Sequence, residues 1–216
     1  MNADLDKIFN KIREDLDAID EKREKLLSTN RNIVRNCSEI IKLIHRNELE
    51  SIDEKLNQVS EMIKEIEQNA LEVNAFIGKN YLNRAKQEFA EAALLYSVIK
   101  GDKLPDLDDL NLNAYEYILG AGDLIGELKR LVLNRVRDND IKNAEQIYDF
   151  MDELLHYMFS LDYPDGLIPG VRRKIDVGRK INGKTLELIT TSKNNADLNS
   201  NIKTLIKKIN EKEEKS

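Results

Sequence analysis

Two pairs of acidic residues at helical spacing are the residues in this chain whose chemistry can be named first. Glu88 and Glu91 are three positions apart, at the start of a stretch that soon becomes strongly apolar. Asp123 and Glu127 are four positions apart in the glycine-rich stretch AYEYILGAGDLIGELKRLVLNRV. Side chains three or four positions apart lie above one another on the same helix face. The spacing therefore predicts two pairs of carboxylates, each on one face of its helix.

Carboxylates that converge in one cleft repel each other, and burial raises that cost. They must then take up protons or hold hard cations, and Mg²⁺ and Mn²⁺ favour oxygen ligands. Gly120, Gly122 and Gly126 lie in the predicted helix of Asp123 and Glu127, and each lowers helix stability by about 1 kcal/mol relative to alanine. We expect them to admit the helix of Glu88 and Glu91, so that all four acids meet. The alternative is a set of solvated surface acids in a chain with 40 Asp and Glu residues.

The elements that must position these acids are helices. The first 48 residues contain neither Gly nor Pro, and their apolar residues recur at steps of three, four and seven. This pattern is typical of one very long helix or two nearly collinear helices, with a break near residues 45–47. A capping-box sequence at Ser51-x-x-Glu54 predicts a second helix start. Asn113-x-x-Glu116 resembles another helix start, and Gly101 predicts a helix end.

The complete pattern predicts an all-α fold, a bundle of six or seven helices with a long N-terminal helix. A weak point at Gly78 and Asn80 precedes the helix of Glu88, and the acidic segment GDKLPDLDDLN reads as a loop. The last helices are expected at 141–161 and 171–192. We assign residues 1–193 to the helical domain and residues 194–216 to a polar, charged tail, either a loose helix or unstructured.

Composition excludes several classes of protein. No apolar run of 18 residues exists, so no membrane span is expected, and the charged N-terminus does not resemble a signal peptide. The single cysteine, Cys37, excludes an internal disulfide and suits a cytoplasmic protein, where we expect it to be a small buried residue. A net charge of −6 argues against an overall basic surface but leaves room for a local basic groove.

Basic residues near the acids are candidates for binding phosphates. Lysines and arginines also cluster at residues 171–184, where the alternative is a solvated helix face paired with acids of a neighbouring subunit. Tyr81, Phe89 and Tyr96 are candidates for stacking on bases, and for Phe89 the alternative is a core residue. The predicted nucleic-acid-binding set is Arg84, Lys86, Arg130, Arg172, Arg173 and Lys174.

Three stretches resemble the translin family. They are QEFAEA at 87–92, EYILGAGDLIGELKRLVLNRV at 116–136, and residues 138–140 leading into IYDFMDELLHYMFSLDY. The similarity extends over most of residues 1–193 and is greatest to translin-associated factor X, the catalytic subunit of that family. Translin proper lacks most of the equivalent acids.

The resemblance implies that Glu88, Glu91, Asp123 and Glu127 form a Mg²⁺- or Mn²⁺-dependent catalytic site. It also implies a seven-helix fold, assembly into a hollow octamer, alone or with a translin-like subunit, and cleavage of single-stranded RNA inside the shell. Two other hypotheses stay open at this point. One is a translin-like protein that binds single-stranded RNA or DNA without cleaving it, and the other is an oligomeric scaffold.

Overall fold

The computed structural model of the chain describes residues 2–70 and 82–213, and within these ranges α-helix is the only regular secondary structure. The all-α prediction is therefore confirmed. No strand occurs in the described ranges, and none of their helices is both long and apolar enough to cross a membrane. The helices are α1 (Asn2–Arg46), α2 (Ile52–Ala70), α3 (Asn83–Lys100), α4 (Leu107–Leu110), α5 (Ala114–Arg137), α6 (Ile141–Phe159) and α7 (Val171–Glu213).

The long N-terminal helix ends where the sequence indicated a break. Asn47 follows α1 in the left-handed region, with φ of 61°. The backbone N–H of Asn47 donates to the carbonyl of Ile44, and that of Glu48 to the carbonyl of Leu43, both at 3.0 Å. These bonds satisfy carbonyls that the end of the helix leaves without partners. Gly101 closes α3 in the same way, with φ of 70°.

The helix start predicted at Asn113 is confirmed, and a reciprocal capping box forms it. The backbone N–H of Glu116 donates to Asn113 Oδ1, and that of Asn113 donates to Glu116 Oε2, both at 2.9 Å. A second reciprocal capping box, between Asp106 and Asp109, begins the short helix α4. The prediction of a plain loop at 101–111 missed this turn, because its Asp-x-x-Asp signal lies within a run of acidic residues.

The chain divides into two compact units, residues Met1–Ala121 and Gly122–Ser216. In unit 1, α1 packs against α2 and α3, and α2 against α3. Large aliphatic side chains fill this core because they recur on the inward face of each helix. Its fully buried members include Ile33, Ile40, Ile52, Val59, Leu94 and Leu95.

Unit 2 contains the last four turns of α5 together with α6 and α7, and α6 packs along α7. Ile125, Leu128 and Met151 are fully buried in it, and Val132, Ala144 and Ile189 form a cluster of buried side chains. This packing fixes α5 and α7, which carry the second acidic pair and most of the predicted basic residues.

The last helix is longer than the sequence predicted. We expected it to end at Ser192, but α7 continues to Glu213. The extension contains neither Gly nor Pro, so nothing in it interrupts the helix. Its side chains are mostly exposed, which explains why an apolar pattern gave no signal there. The division at residue 193 stays a prediction, and the weak point at Gly78 and Asn80 lies outside the described residues, as does Tyr81.

Candidate functional site

The first acidic pair lies on α3, within unit 1. Glu91 is buried, with 8 % of its surface exposed, and the Glu88 side chain is 21 % exposed. Arg84, one helical turn earlier, places its Nε 3.6 Å from Glu88 Oε1. The pair is therefore shielded from solvent, unlike the acids of an ordinary solvated helix face.

The Cys37 thiol of α1 lies close enough to this pair for the charges of both acids to affect its pKa. Burial raises the pKa of the Cys37 thiol, and the negative charges of Glu88 and Glu91 raise it further. The thiol is fully buried and stays protonated, so the expectation of a small buried residue is confirmed. The charges of both carboxylates therefore extend to the buried side of α1 that carries Cys37.

The second acidic pair lies on α5, within unit 2, and both of its carboxylates face cations. Lys174 of α7 donates a hydrogen bond from Nζ to Asp123 Oδ1. Arg130 Nη1 lies 3.5 Å from Glu127 Oε2, one turn along α5. The side chains of Asp123 and Glu127 are 33 % and 23 % exposed. This pair is half-buried and electrostatically compensated.

Gly120 allows another helix to approach α5 closely, as the sequence predicted. A methyl group at this position would lie 2.4 Å from Ala90 Cβ, 2.8 Å from the carbonyl oxygen of Gln87 and 3.0 Å from the backbone nitrogen of Glu91. These atoms belong to α3, and two of them are backbone atoms that cannot rotate away. Within unit 1, α5 therefore contacts the backbone of α3 at Glu91.

The other two glycines of α5 differ from Gly120. A methyl group at Gly122 would lie 2.7 Å from Cδ and 3.1 Å from Cβ of Lys174, so this glycine makes room for α7. Around Gly126 no atom of the described residues lies within 4 Å of such a methyl group. The predicted close approach of the helix of Glu88 and Glu91 is therefore confirmed at Gly120, whereas Gly122 admits a different helix.

Alanine substitutions at Gly120 and Gly126 are expected to change stability in opposite directions. Gly120→Ala should lower the free energy of unfolding by about 2 kcal/mol, because its methyl group would overlap the α3 backbone. Gly126→Ala should raise it by about 1 kcal/mol, because alanine favours the helix and meets no neighbour. Urea denaturation followed by circular dichroism measures both. An increase in stability for both variants would contradict the contact between α5 and α3.

The four acids fit a hard divalent cation by donor type, since oxygen is the only donor atom that they offer. Arg84, Arg130 and Lys174 show that positive charge is drawn to these carboxylates. No three His, Cys, Asp or Glu residues in the described part of the chain are grouped as a metal ion would require. The four-acid site, whose two pairs belong to different units, thus stays a prediction.

The family model described as Translin family matches residues 10–185. The chain belongs to the translin family. An uncharacterised protein of Methanocaldococcus jannaschii is 35% identical over 185 residues, which are 85% of this chain and 82% of that protein.

Solved structures share the fold of this translin-family chain. AfC3PO is 27% identical, with a TM-score of 0.76 over 86% of this chain and 96% of its own. AfC3PO in complex with duplex RNA is 26% identical, with a TM-score of 0.75 and the same coverage. Apo-NeC3PO is 20% identical, with a TM-score of 0.76 over 85% of this chain and 96% of its own, and shows the fold alone.

All of the predicted site residues lie within the matched translin range, but the basic ones differ in exposure. The Arg84 side chain is 76 % exposed and that of Arg130 is 52 % exposed. Arg172 and Arg173 are exposed in the first turn of α7. Lys174 is half-buried against Asp123, and sequence spacing offered no signal for that pair, because 51 residues separate its members.

Lys86 is buried, so the prediction that it binds nucleic acid is wrong. The residue is 8 % exposed, and its Nζ lies 2.5 Å from Glu67 Oε1 and 3.0 Å from Glu116 Oε1. Burial alone would lower the pKa of Lys86, but the hydrogen bonds and charges of the two glutamates outweigh it and raise the pKa. Lys86 therefore links α2, α3 and α5 within unit 1.

Two of the aromatic candidates for base stacking belong to the core of the translin fold. Phe89 is 3 % exposed and Tyr96 is 6 % exposed. The Tyr96 hydroxyl donates to Asp53 Oδ2 at 2.7 Å. Neither ring presents a face to a nucleic-acid base. The core alternative is therefore confirmed for Phe89, and the stacking prediction is wrong for Tyr96.

Proposed function

We propose that this chain is a Mg²⁺- or Mn²⁺-dependent endoribonuclease that cleaves single-stranded RNA and is similar to translin-associated factor X. The observation that carries the proposal is the shielding of the four acids. Glu88, Glu91, Asp123 and Glu127 are all buried or half-buried, on two helices of a translin-family chain. Acidic side chains are seldom withdrawn from water unless a partner compensates them.

An RNA ligand is supported by the structural relatives. AfC3PO, 26% identical to this chain, has been solved in complex with duplex RNA. In this chain the first turn of α7 carries Arg172, Arg173 and Lys174 and no acidic residue. Cations at a helix N-terminus oppose the helix dipole by about 0.3–1 kcal/mol each. A helix that begins with basic residues despite this cost is well suited to bind RNA phosphates.

The proposed roles follow from residue type. Glu88, Glu91, Asp123 and Glu127 would hold the divalent ion, which supplies charge stabilisation at the phosphodiester and acidifies water. The exposed arginines, Arg84, Arg130, Arg172 and Arg173, would bind the RNA backbone without regard to base sequence, since they offer hydrogen bonds to phosphate oxygens.

Metal removal tests the proposal directly. We expect an end-labelled single-stranded RNA to be cut in MgCl₂ or MnCl₂ and to stay intact in EDTA, with activity restored when excess Mn²⁺ is added back. A duplex of the same sequence, assayed in parallel, tests the preference for single strands. Cleavage that persists in EDTA, after the protein has been freed of contaminating nuclease, would contradict a metal-dependent site.

A non-catalytic RNA- or DNA-binding protein is the second candidate. It is favoured by the ion pairs of Glu88, Asp123 and Glu127, which already supply these acids with positive charge. Such a protein would bind single strands with a steep salt dependence and give no products at any Mg²⁺ or Mn²⁺ concentration. The cleavage assay therefore separates the two candidates.

We also propose that the chain assembles with copies of itself, as an octamer, or with a translin-like subunit. The N-terminal part of α1 exposes an apolar stripe whose members are 43–54 % exposed: Leu5, Ile8, Phe9, Ile12 and Leu16. A stripe of this length on one helix is typical of a subunit interface. Phe9→Glu is expected to shift the protein to smaller species in sedimentation velocity. An unchanged sedimentation coefficient would place the interface elsewhere.

A further inference from the structure

We propose that Lys174 is a built-in counter-ion of Asp123, which a divalent cation must displace before it can bind this carboxylate. The inference rests on the proposed function, because it takes Asp123 to be a metal ligand. It assigns Lys174 a role beyond phosphate binding: this residue sets the metal concentration at which the site becomes occupied.

The ion pair is built into the packing of unit 2. Lys174 Nζ donates to Asp123 Oδ1, and the two side chains are only 21 % and 33 % exposed. The lysine stem lies in a notch over Gly122, where a methyl group would approach Lys174 Cδ to 2.7 Å and Met158 Cε to 3.3 Å. Gly122 therefore keeps open the path along which the ammonium group reaches Asp123.

The position of Lys174 in α7 is unfavourable without Asp123. It lies in the first turn, directly after Arg172 and Arg173, where the helix dipole and both neighbouring cations oppose its charge. The Asp123 carboxylate offsets this repulsion. Attraction to Asp123 thus holds the lysine ammonium in place, and a divalent ion at the same carboxylate would cancel that attraction.

An ammonium group and a divalent cation compete for Asp123. Both need its oxygen atoms, and two positive charges within a few ångströms in a half-buried site repel strongly. The free energy needed to displace Lys174 from Asp123 therefore weakens metal binding. A neutral side chain of similar length at position 174 removes that cost and leaves the Asp123 carboxylate without a competing ammonium group.

Isothermal titration with MnCl₂ alone, on the full chain in its native assembly, tests the inference. Lys174→Met is expected to bind Mn²⁺ about tenfold more tightly than the parent protein. Lys193→Met is the matched control, because it removes another lysine–carboxylate pair of α7, with Glu145 at 2.7 Å, and should leave the affinity unchanged. Lys174→Gln repeats the test with a polar neutral side chain if the methionine variant unfolds.

The outcomes separate this inference from the proposed function. Equal or weaker Mn²⁺ binding by both neutral variants, with measurable binding by the parent, overturns the counter-ion role and leaves the metal site in place. A similar gain in Lys193→Met would also overturn it, since the effect would then be one of general charge. Failure of every protein to bind Mn²⁺ overturns both the metal site and the counter-ion role.

Discussion

Asp123→Asn is expected to lower the rate of RNA cleavage by about 100-fold, which is the usual effect of removing one group that stabilises transition-state charge. Asparagine keeps the size of the side chain but not its charge, so it would hold a divalent ion poorly. The first-order rate of cleavage of a labelled RNA at saturating Mg²⁺ measures the effect. Thermal unfolding should show that the variant is folded.

Glu91→Gln extends this test to the other acidic pair. Glu91 is the most buried of the four acids and lies on α3 of unit 1, whereas Asp123 belongs to unit 2. If both pairs serve one site, the double variant should be about as slow as either single variant, because residues that act as a unit are not additive. If they serve separate functions, the two losses should multiply.

Glu145→Gln is the control for both substitutions. It neutralises an acid of α6 that is also paired with a lysine of α7, outside the proposed site. We expect this variant to cleave RNA at the parental rate. If Asp123→Asn and Glu91→Gln also cleave at the parental rate, the acidic residues assigned to the site are the wrong ones, even if the chain is a nuclease.

Local signals in the sequence were sufficient for most of the fold. The apolar pattern before residue 46 and the capping box at Asn113 and Glu116 act within one or two helical turns. Interactions of this range can be recognised from spacing alone, because helix geometry fixes which positions face each other. The all-α class and the end of α1 followed from such signals.

The contacts of the candidate site depend on pairs that are distant in sequence. Lys174 and Asp123 are 51 residues apart, and Lys86 meets Glu116 and Glu67 from two other helices. Nothing near Lys86 distinguishes it from the exposed Arg84, so both were predicted to bind phosphate. Helical phase alone does not reveal which face of α3 a neighbouring helix covers, and burial therefore had to come from the structure.

Lys86→Met is expected to lower the free energy of unfolding by about 3 kcal/mol. The substitution keeps the aliphatic stem but leaves Glu116, whose side chain is 5 % exposed, without its ammonium partner. Breaking a buried ion pair in this way usually costs 3–5 kcal/mol, because one charge stays buried without compensation. Urea denaturation of the variant and the parent measures the difference.

The double variant Lys86→Met with Glu116→Gln is the informative control. Glutamine retains the side-chain oxygen that accepts from the Asn113 N–H, so the start of α5 keeps its cap. It removes the charge that Lys86→Met leaves unpaired, and should therefore restore much of the lost stability. If the double variant is no more stable than Lys86→Met, the loss reflects packing of the lysine stem and not the ion pair.

The pH dependence gives an independent check on the same ion pairs. Because Glu67 and Glu116 raise the pKa of Lys86 above that of an ordinary lysine, the folded chain holds this proton at a pH where the unfolded chain has lost it. The stabilisation is complete below the unfolded pKa of about 10.4 and is lost as the pH rises through the folded pKa. The stability difference between the parent and Lys86→Met should therefore be constant from pH 7 to about 10 and shrink at higher pH. A difference that stayed constant through that alkaline range would mean that the charge of Lys86 does not hold α2, α3 and α5 together.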